Sequence, residues 1–563
     1  MAKRILVIGG AAAGPKTAAK ARRLDETAEI TLIQKGSYMS MASCGYPYYI
    51  GGVFDEREKL VCTPTGAPRD EVFFRNVKNV NARTNTEAID IDPKRKLVTV
   101  RSLESGETEE LPYDKLMLAV GASPIRPPIP GIDLDNVTTL HNIDDATFIK
   151  EKVKSGSVKQ AVIIGGGLIG IETAEAFALA GIKVTVVEML PYILPFLDPE
   201  MALIVQNHLW QKGATVLTGV AAEAFTGDDA VNGVRLSNGD VLPADFVVVS
   251  IGVKPNNDLA KKAGLKLGVK GAICVNRFMQ TSDPDIFSAG DCVEVTDLVT
   301  YNKIHWPMGD AANLQGRVAA QNMIEGNRAE YEGAVMTGVC KVFDYSVGSV
   351  GLSETRARAE GYSDIITAIH AAPDKPGFMS GKLLIIKLVA DRSTGRLLGM
   401  QAAGPGDVSK RLGVAAMALH NGMHVHQLVN LDLPYAPPFS QALDSFITAV
   451  HVLENKLLGR MTGISSLDFK AMLDRGEKPF MLDARGADEY AQMRIGVGET
   501  LIPLGKLRGA KSQLPADTDA LIITWCKISL RGYEAQCILR GMGYNNVLVL
   551  EGGLMAWPFG LQK

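Results

Sequence analysis

Long apolar runs are missing from this chain. The longest, such as Phe246–Val253, fall far short of the ~20 residues that a membrane span requires, so no membrane partner is expected. Cysteine is scarce, with Cys44, Cys62, Cys274, Cys292, Cys340, Cys526 and Cys537 spread over 563 residues. An odd, scattered set without export signals points to reduced thiols and not to a disulfide framework. No C-x-x-C pair or Cys/His cluster has zinc spacing. His420, His424 and His426 read as a helix face running into a loop and not as ligands that converge, so no metal is expected. Neither sign of charge is in large excess: the net value is -3, which gives no bulk reason to expect nucleic acid. The first strand, Ile5-Leu6-Val7-Ile8, starts almost at the N-terminus and leaves no room for a signal peptide, so a cytoplasmic protein is expected.

What is present is ordinary globular material, 46% hydrophobic and 21% charged, in a chain long enough for about three or four domains. Two segments, Arg4 to Gln34 and Gln160 to Glu188, share one grammar: apolar strand, glycine turn, long helix, second strand. Both fit the nucleotide-binding βαβ pattern. Ile286 to Asp291 is another apolar strand, ending in Gly290-Asp291, that returns to the first fold, so one nucleotide domain is interrupted by the other. A mixed α+β region follows up to His451, then a polar stretch, Glu454–Thr462, that reads as a short linker. From Ile464 onward short strands alternate with helices in a last α/β domain of about 100 residues, enough for its own core.

Gly165-Gly166-Gly167-Leu168-Ile169-Gly170 is a full G-x-G-x-x-G between a strand and a helix. Its glycines let a pyrophosphate approach the helix N-terminus, where unpaired N–H groups point outward. Glu188 ends the next strand, 18 residues past Gly170. A carboxylate there accepts hydrogen bonds from ribose hydroxyls and repels a 2′-phosphate, which favours NADH over NADPH. The first site reads Gly9-Gly10-Ala11-Ala12-Ala13-Gly14, with Gln34 and then Lys35 at the strand end where an acid is usual. Leu118–Ala122, breaking at Gly121, and the segment around Gly290 and Asp291 support this first site, as Gly252 does the second. Here residues 1 to about 450 resemble the pyridine nucleotide–disulfide oxidoreductases, whose first site holds FAD and whose second holds NAD(P)H. By that resemblance Asp291 binds the ribityl chain.

Cys44 lies in Ser40-Met41-Ala42-Ser43-Cys44-Gly45-Tyr46-Pro47-Tyr48-Tyr49. Glutathione-reductase-like enzymes carry C-x-x-x-x-C, but Tyr49 takes the second position, leaving one active thiol. A single cysteine can attack a disulfide sulfur, hold the mixed disulfide and be released by two electrons. Lone-cysteine relatives include NADH oxidases, NADH peroxidases and coenzyme A-disulfide reductases. The oxidases and peroxidases carry a histidine in the first glycine turn, matched here by Ala12, so no acid/base group for peroxide chemistry stands there. Lys16, Lys20 and Arg23 recur at i, i+4 and i+7, one helix face. Resemblance to the coenzyme A-disulfide reductases implies that Lys16, Lys20, Arg23, Ser40, Ser43 and Lys78 contact coenzyme A. Ser43 stands where the family often has Asn. Tyr435-Ala436-Pro437-Pro438-Phe439 keeps, as Tyr435, the tyrosine that in the family reaches the partner subunit's flavin site. A second active-site tyrosine is absent from Ala372–Gly377, and Leu443 replaces a substrate-contacting lysine. These departures make a smaller persulfide or polysulfide substrate plausible beside the full disulfide.

Trp525-Cys526-Lys527-Ile528-Ser529-Leu530-Arg531 follows a strand and precedes a helix. Backbone N–H groups converge at such a junction and stabilise a thiolate and a bound persulfide. The segment resembles the rhodanese active loop, with Leu482-Asp483-Ala484-Arg485 and Gly552-Gly553-Leu554-Met555-Ala556-Trp557 as flanking motifs. Ser529 stands where glycine is more common, and Ile495 occupies a frequent histidine position. The implied fold class is α/β. Two Rossmann-like dinucleotide-binding domains, for FAD (1–150 plus 272–328) and NAD (151–271), precede an α+β dimerisation domain (329–452). A linker (453–463) and a C-terminal rhodanese-like α/β domain (464–563) complete the chain. The expected activity is NADH-dependent reduction of coenzyme A disulfide, coenzyme A persulfide or polysulfide at Cys44, with sulfane sulfur supplied through Cys526 and Arg531, in a homodimer. An NADH oxidase or peroxidase with an accessory rhodanese domain, and a redox-sensing sulfur carrier, are the alternatives.

Overall fold

The computed structural model describes residues 2–562, which divide into two units, 2–191 with 217–334, and 192–216 with 335–562. In the first unit, the strands Arg4–Ile8 and Lys115–Leu118 form the centre of an all-parallel sheet, flanked by Glu29–Ile33, Asn81–Arg83 and Ile286–Ser288. Ile286–Ser288 thus rejoins the first fold across the intervening chain. Leu6, Val7, Leu32, Leu116, Met117 and Phe287 are buried, as the uninterrupted apolar strands of a sheet covered on both faces require. The helices Ala13–Leu24 and Gly309–Glu325 cross closely at Gly316, where a Cβ would stand 2.6 Å from the Ala13 carbonyl oxygen. A second parallel sheet joins Lys183–Glu188, Gln160–Ile164, Phe246–Val249 and Val137–Thr138. Its last strand lies before residue 151, so this sheet draws on chain assigned by sequence to the first domain.

The second unit holds a five-stranded antiparallel sheet in the order Gly338–Val342, Tyr345–Gly351, Leu397–Gly404, Leu383–Asp391, Ile365–Pro373. Segment 192–216 groups here up to the start of the strand Thr215–Thr218, which belongs to the NAD sheet. The cause is a buried charge cluster: Lys387 Nζ lies 2.9 Å from Asp198, 2.6 Å from Glu200 and 3.0 Å from Glu354. Asp198 also accepts the Glu354 and Thr355 N–H groups. The C-terminal sheet is parallel, in the order Gly463–Ile464, Val547–Leu550, Ile522–Trp525, Phe480–Asp483, Thr500–Leu501. The expected linker 453–463 is only partly one, because the helix Ser445–Leu457 runs into it. Leu453 is fully buried on that helix, so apolar packing carries the helix past the point where polar composition suggests a break. Among the described residues no helix is long and apolar enough to cross a membrane.

Candidate active site

The two glycine turns are built alike. Gly9 and Gly165 both have φ +107°, where a Cβ would strike the carbonyl oxygens of Ala119 at 2.1 Å and Ser250 at 2.5 Å. Only glycine fits such a conformation and such an approach. Gly14 and Gly170 sit over the carbonyls of Gly9 and Gly165 and let each helix close on its strand. Neither helix start, at Ala13 or at Leu168 and Ile169, has a side-chain cap or an acid in its first turn. Both keep outward N–H groups for an anion. Gln34 Oε1 accepts the Gly10 N–H at 2.8 Å, and Glu188 accepts the Gly166 N–H at 2.7 Å and the Leu190 N–H at 2.8 Å. Each strand-end side chain thus latches its own glycine turn and keeps further polar capacity, the Gln34 amide NH₂ or the remaining Glu188 lone pairs. Lys35 turns away, to Glu87 at 2.8 Å. Gly290 packs against Ala13 and Ala312, which brings Asp291 to the first turn. Burial raises the Asp291 carboxyl above its usual range, and it has no hydrogen-bond partner among the described residues. The residues present fit a dinucleotide at each turn, and Gly121 and Gly252 follow the neighbouring strands.

Cys44 is exposed, in the short turn Ser43–Gly45 ahead of the helix Tyr46–Ile50. Gly309, which starts a long helix, faces it: a Cβ there would stand 3.9 Å from Sγ. Surrounding protein first, then the Glu172 and Asp291 carboxylates, push the thiol up. The N-terminal N–H groups of the helix Gly309–Glu325 act the other way and favour the thiolate. Lys150, itself buried, donates to the Tyr49 and Phe54 carbonyls at 2.7 and 2.9 Å, fixing the helix that follows Cys44. Beside this turn lies a cavity of about 310 Å³. It brings together Lys16, Arg23, Ser40 and Lys78 of the expected set, and adds Arg69, Phe73 and Asn313. Lys20 and Ser43 are not in its lining. None of Lys16, Arg23 and Lys78 has a carboxylate partner among the described residues; Lys78 rests over the Phe73 ring at 5.3 Å.

In the second unit Cys526 is buried at the floor of a separate cavity of about 390 Å³, lined also by Lys527, Ile528, Leu530, Arg531 and Met555. Arg531 makes a bidentate pair with Glu489, both contacts at 2.7 Å. That pair holds the Glu489 carboxyl at about 2 and raises Arg531. Ser529 adopts φ +76°, which explains why glycine is commoner there: a side chain costs ~1–2 kcal/mol in this region. Its Oγ donates to the Leu550 carbonyl at 3.2 Å. The Gly552–Trp557 motif supports the loop, with Leu554 and Met555 N–H donating to the Cys526 and Lys527 carbonyls at 3.1 Å. The Asp483–Arg485 motif is a buried ion pair at 2.7 Å.

Residues 3–309 match the family model for pyridine nucleotide-disulphide oxidoreductases. The chain belongs to the pyridine nucleotide-disulphide oxidoreductase family. Residues 337–446 match that family's dimerisation domain, and residues 465–558 match a rhodanese-like domain. A solved structure of an NAD-dependent persulfide reductase from A. fulgidus is 42% identical, with a TM-score of 0.93 over 98% of this chain and 100% of that one. An "NADH oxidase" of Methanocaldococcus jannaschii is 34% identical over 81% of this chain and 99% of its own. An NAD(P)H coenzyme A polysulfide/persulfide reductase of Pyrococcus horikoshii is also 34% identical, over the same shares.

As a pyridine nucleotide-disulphide oxidoreductase the chain is an FAD- and NAD(P)H-dependent enzyme with an appended rhodanese domain. Gly9, Gly14, Asp291 and the helix start at Ala13 gather at the first glycine turn, and Gly165, Gly170 and Glu188 at the second. Tyr435 is 55% exposed on the dimerisation domain. Arg69, Asn313 and Glu489 carry no local motif that would mark them in the sequence. Arg69 arrives from a turn where Cys62 bridges to Pro68, and Asn313 lies one helical turn beyond Gly309.

Proposed function

We propose that this flavoenzyme reduces coenzyme A disulfide, coenzyme A persulfide or polysulfide at Cys44 with electrons from NADH, and receives sulfane sulfur through Cys526. The observation that carries the reading is the cavity beside Cys44, where Lys16, Arg23 and Lys78 converge without counter-charges among the described residues. Such a constellation suits the phosphates of coenzyme A, with Ser40 beside them and Lys20 and Ser43 nearby on the same helix and turn. Bound FAD supplies the two-electron chemistry that connects a nicotinamide with a thiol–disulfide couple. The chain's own part is to deliver a thiolate. Cys44 attacks the inner sulfur of the persulfide, the S–S bond breaks, and hydrogen sulfide leaves as a mixed disulfide forms with the carrier. Two electrons from NADH then return Cys44 and the carrier thiol. Ala12 at the first helix start provides no acid or base for peroxide, which weighs against an oxidase or peroxidase reading despite the archaeal namesake. Tyr435 reaches the partner's flavin site in a homodimer formed through the 337–446 domain. The cysteines are all free thiols, which suits the cytoplasm. The test is a rapid-mixing panel on the NADH-reduced enzyme: coenzyme A disulfide, coenzyme A persulfide, polysulfide, oxygen and peroxide. Reoxidation by oxygen or peroxide alone would refute the reading.

A further inference from the structure

The cavity over Cys526 has a wall that the rhodanese fold does not supply. Pro373 and Leu383, from the dimerisation domain, line it. They face one another as the register pair next to the turn of the hairpin formed by Ile365–Pro373 and Leu383–Asp391. The hairpin is fixed to the loop through Glu551. This buried carboxylate accepts the Ile369 N–H at 3.0 Å, on the free edge of the sheet, and pairs with Lys456. The next residue, Gly552, fits so closely that a Cβ on it would stand 3.0 Å from Ile369 Cγ2. Gly553 and the two N–H groups that hold the Cys526 and Lys527 carbonyls follow directly. Wall and loop are therefore linked through a run of five residues, 551–555.

The two sides of this cavity differ in chemistry. Lys527 and Arg531 give it positive charge at the loop, and Arg531 is already engaged by Glu489. Pro373, Leu383, Ile528, Leu530 and Met555 offer only carbon and one thioether sulfur. A small sulfonate such as thiosulfate would leave oxygens against that surface unbonded, which is unfavourable. A donor with an apolar body buries it there instead.

We propose that Leu383 and Pro373 are specificity-determining residues for sulfur loading, and that they select sulfane-sulfur donors with an elongated, weakly polar body over thiosulfate. The proposal rests on the reading of Cys526 as the sulfur-accepting thiol. The Cys526 thiolate attacks the sulfane sulfur of the donor, the bond from that sulfur to the rest of the donor breaks, and the leaving group departs with the electron pair. Cys526 is left as a persulfide, with no oxidant or reductant consumed.

Alkanethiosulfonates test this on the full-length holoenzyme, because they replace one thiosulfate oxygen by an alkyl chain and release a sulfinate. Persulfide formation on Cys526 is measured with thiosulfate and with methane-, butane- and hexanethiosulfonate. Each fully buried methylene is worth about fourfold, so kcat/KM for the wild type should rise at least about tenfold from the methane to the hexane member. In Leu383→Gln, of similar size but polar, that ratio should fall below about threefold, with FAD content unchanged and the thiosulfate rate equal or higher; Leu383→Ala should flatten the series in the same way. A wild-type series that does not rise with chain length overturns the proposal, as does equal loss for every donor in both variants. If no donor loads Cys526, the sulfurtransferase reading itself fails, with a signature distinct from a flat series.

Discussion

The cations beside Cys44 set a quantitative expectation. Lys16 and Lys78 are half-buried and Arg23 is exposed, and none has a carboxylate partner among the described residues. A hydrogen bond to a charged group contributes ~1.5–3 kcal/mol, whereas an exposed ion pair contributes ~0.2–1 kcal/mol. Lys16→Gln and Lys78→Gln should therefore each raise KM for coenzyme A disulfide about tenfold, the equivalent of ~1.4 kcal/mol. Arg23→Gln should raise it only about twofold, from ~0.5 kcal/mol. The phosphates lie far from the reacting sulfur, so binding is lost equally in ground and transition states and kcat should hold. Added salt should shrink the effect, more for Arg23 than for the half-buried lysines. The assay is steady-state NADH oxidation with coenzyme A disulfide and, in parallel, with pantethine, which has the same thiol arm and no phosphates. Substitutions that impair both disulfides alike, or that lower kcat without moving KM, would show that these cations do not recognise phosphate.

Other expectations follow from the geometry. Cys44→Ser should retain FAD and lose NADH-dependent persulfide and disulfide reduction, while Cys526→Ser should lose sulfur loading yet still reduce a preformed small persulfide; loss of both activities in either variant would mean sulfur passes obligatorily between the two thiols. NADH should exceed NADPH in kcat/KM, since Glu188 repels a 2′-phosphate; equal use of both would remove that inference. Gly553→Ala places a Cβ 2.3 Å from the Cys526 carbonyl oxygen at φ +58°, so sulfur loading should be abolished with flavin reduction by NADH intact; normal persulfide formation, read by mass spectrometry, would contradict it. His370 is held neutral, with its pKa lowered from 6.5 to about 4 by burial. The unfolded chain binds the proton more readily, so stability is full above about 6.5 and is lost as pH falls towards 4, by roughly 3 kcal/mol. Hydrogen exchange in the strand Ile365–Pro373 should report it, and an unchanged rate of opening between pH 7 and 4.5 would count against it.

Much of this was legible from local pattern. Both βαβ units, the Gly290-Asp291 return, Cys44 without a partner at Tyr49, and Cys526 with Arg531 each sit in a contiguous motif whose spacing carries its own geometry. Residues that reach a site from another part of the chain had no such mark. Asn313 and Arg69 join Lys16 only because the helix Gly309–Glu325 and a distant turn close over the first helix. Glu489 finds Arg531 across the last domain, and Pro373 and Leu383 belong to a hairpin with no motif at all. Composition misled at Glu454–Leu457, where polar residues clothe a helix whose other face is buried at Leu453. Lys20 shares a helix face with Lys16 and Arg23, yet the cavity stops short of it, since helical periodicity gives direction but not the extent of what lies opposite.

The latch at the end of each second strand has a consequence for redesign. Nature's usual discriminator of the adenosine ribose is, in this chain, also a fastener: the Glu188 carboxylate expected to turn away a 2′-phosphate is the acceptor that holds Gly166. Replacing it with a small or cationic side chain, the common route to an NADPH-using enzyme, would open the turn at the moment it widened the pocket. The first nucleotide fold already contains the workable exchange, because Gln34 fastens Gly10 through a neutral amide. Grafting that solution onto position 188 removes the repulsion and keeps the fastening, so cofactor breadth and turn rigidity become independently adjustable.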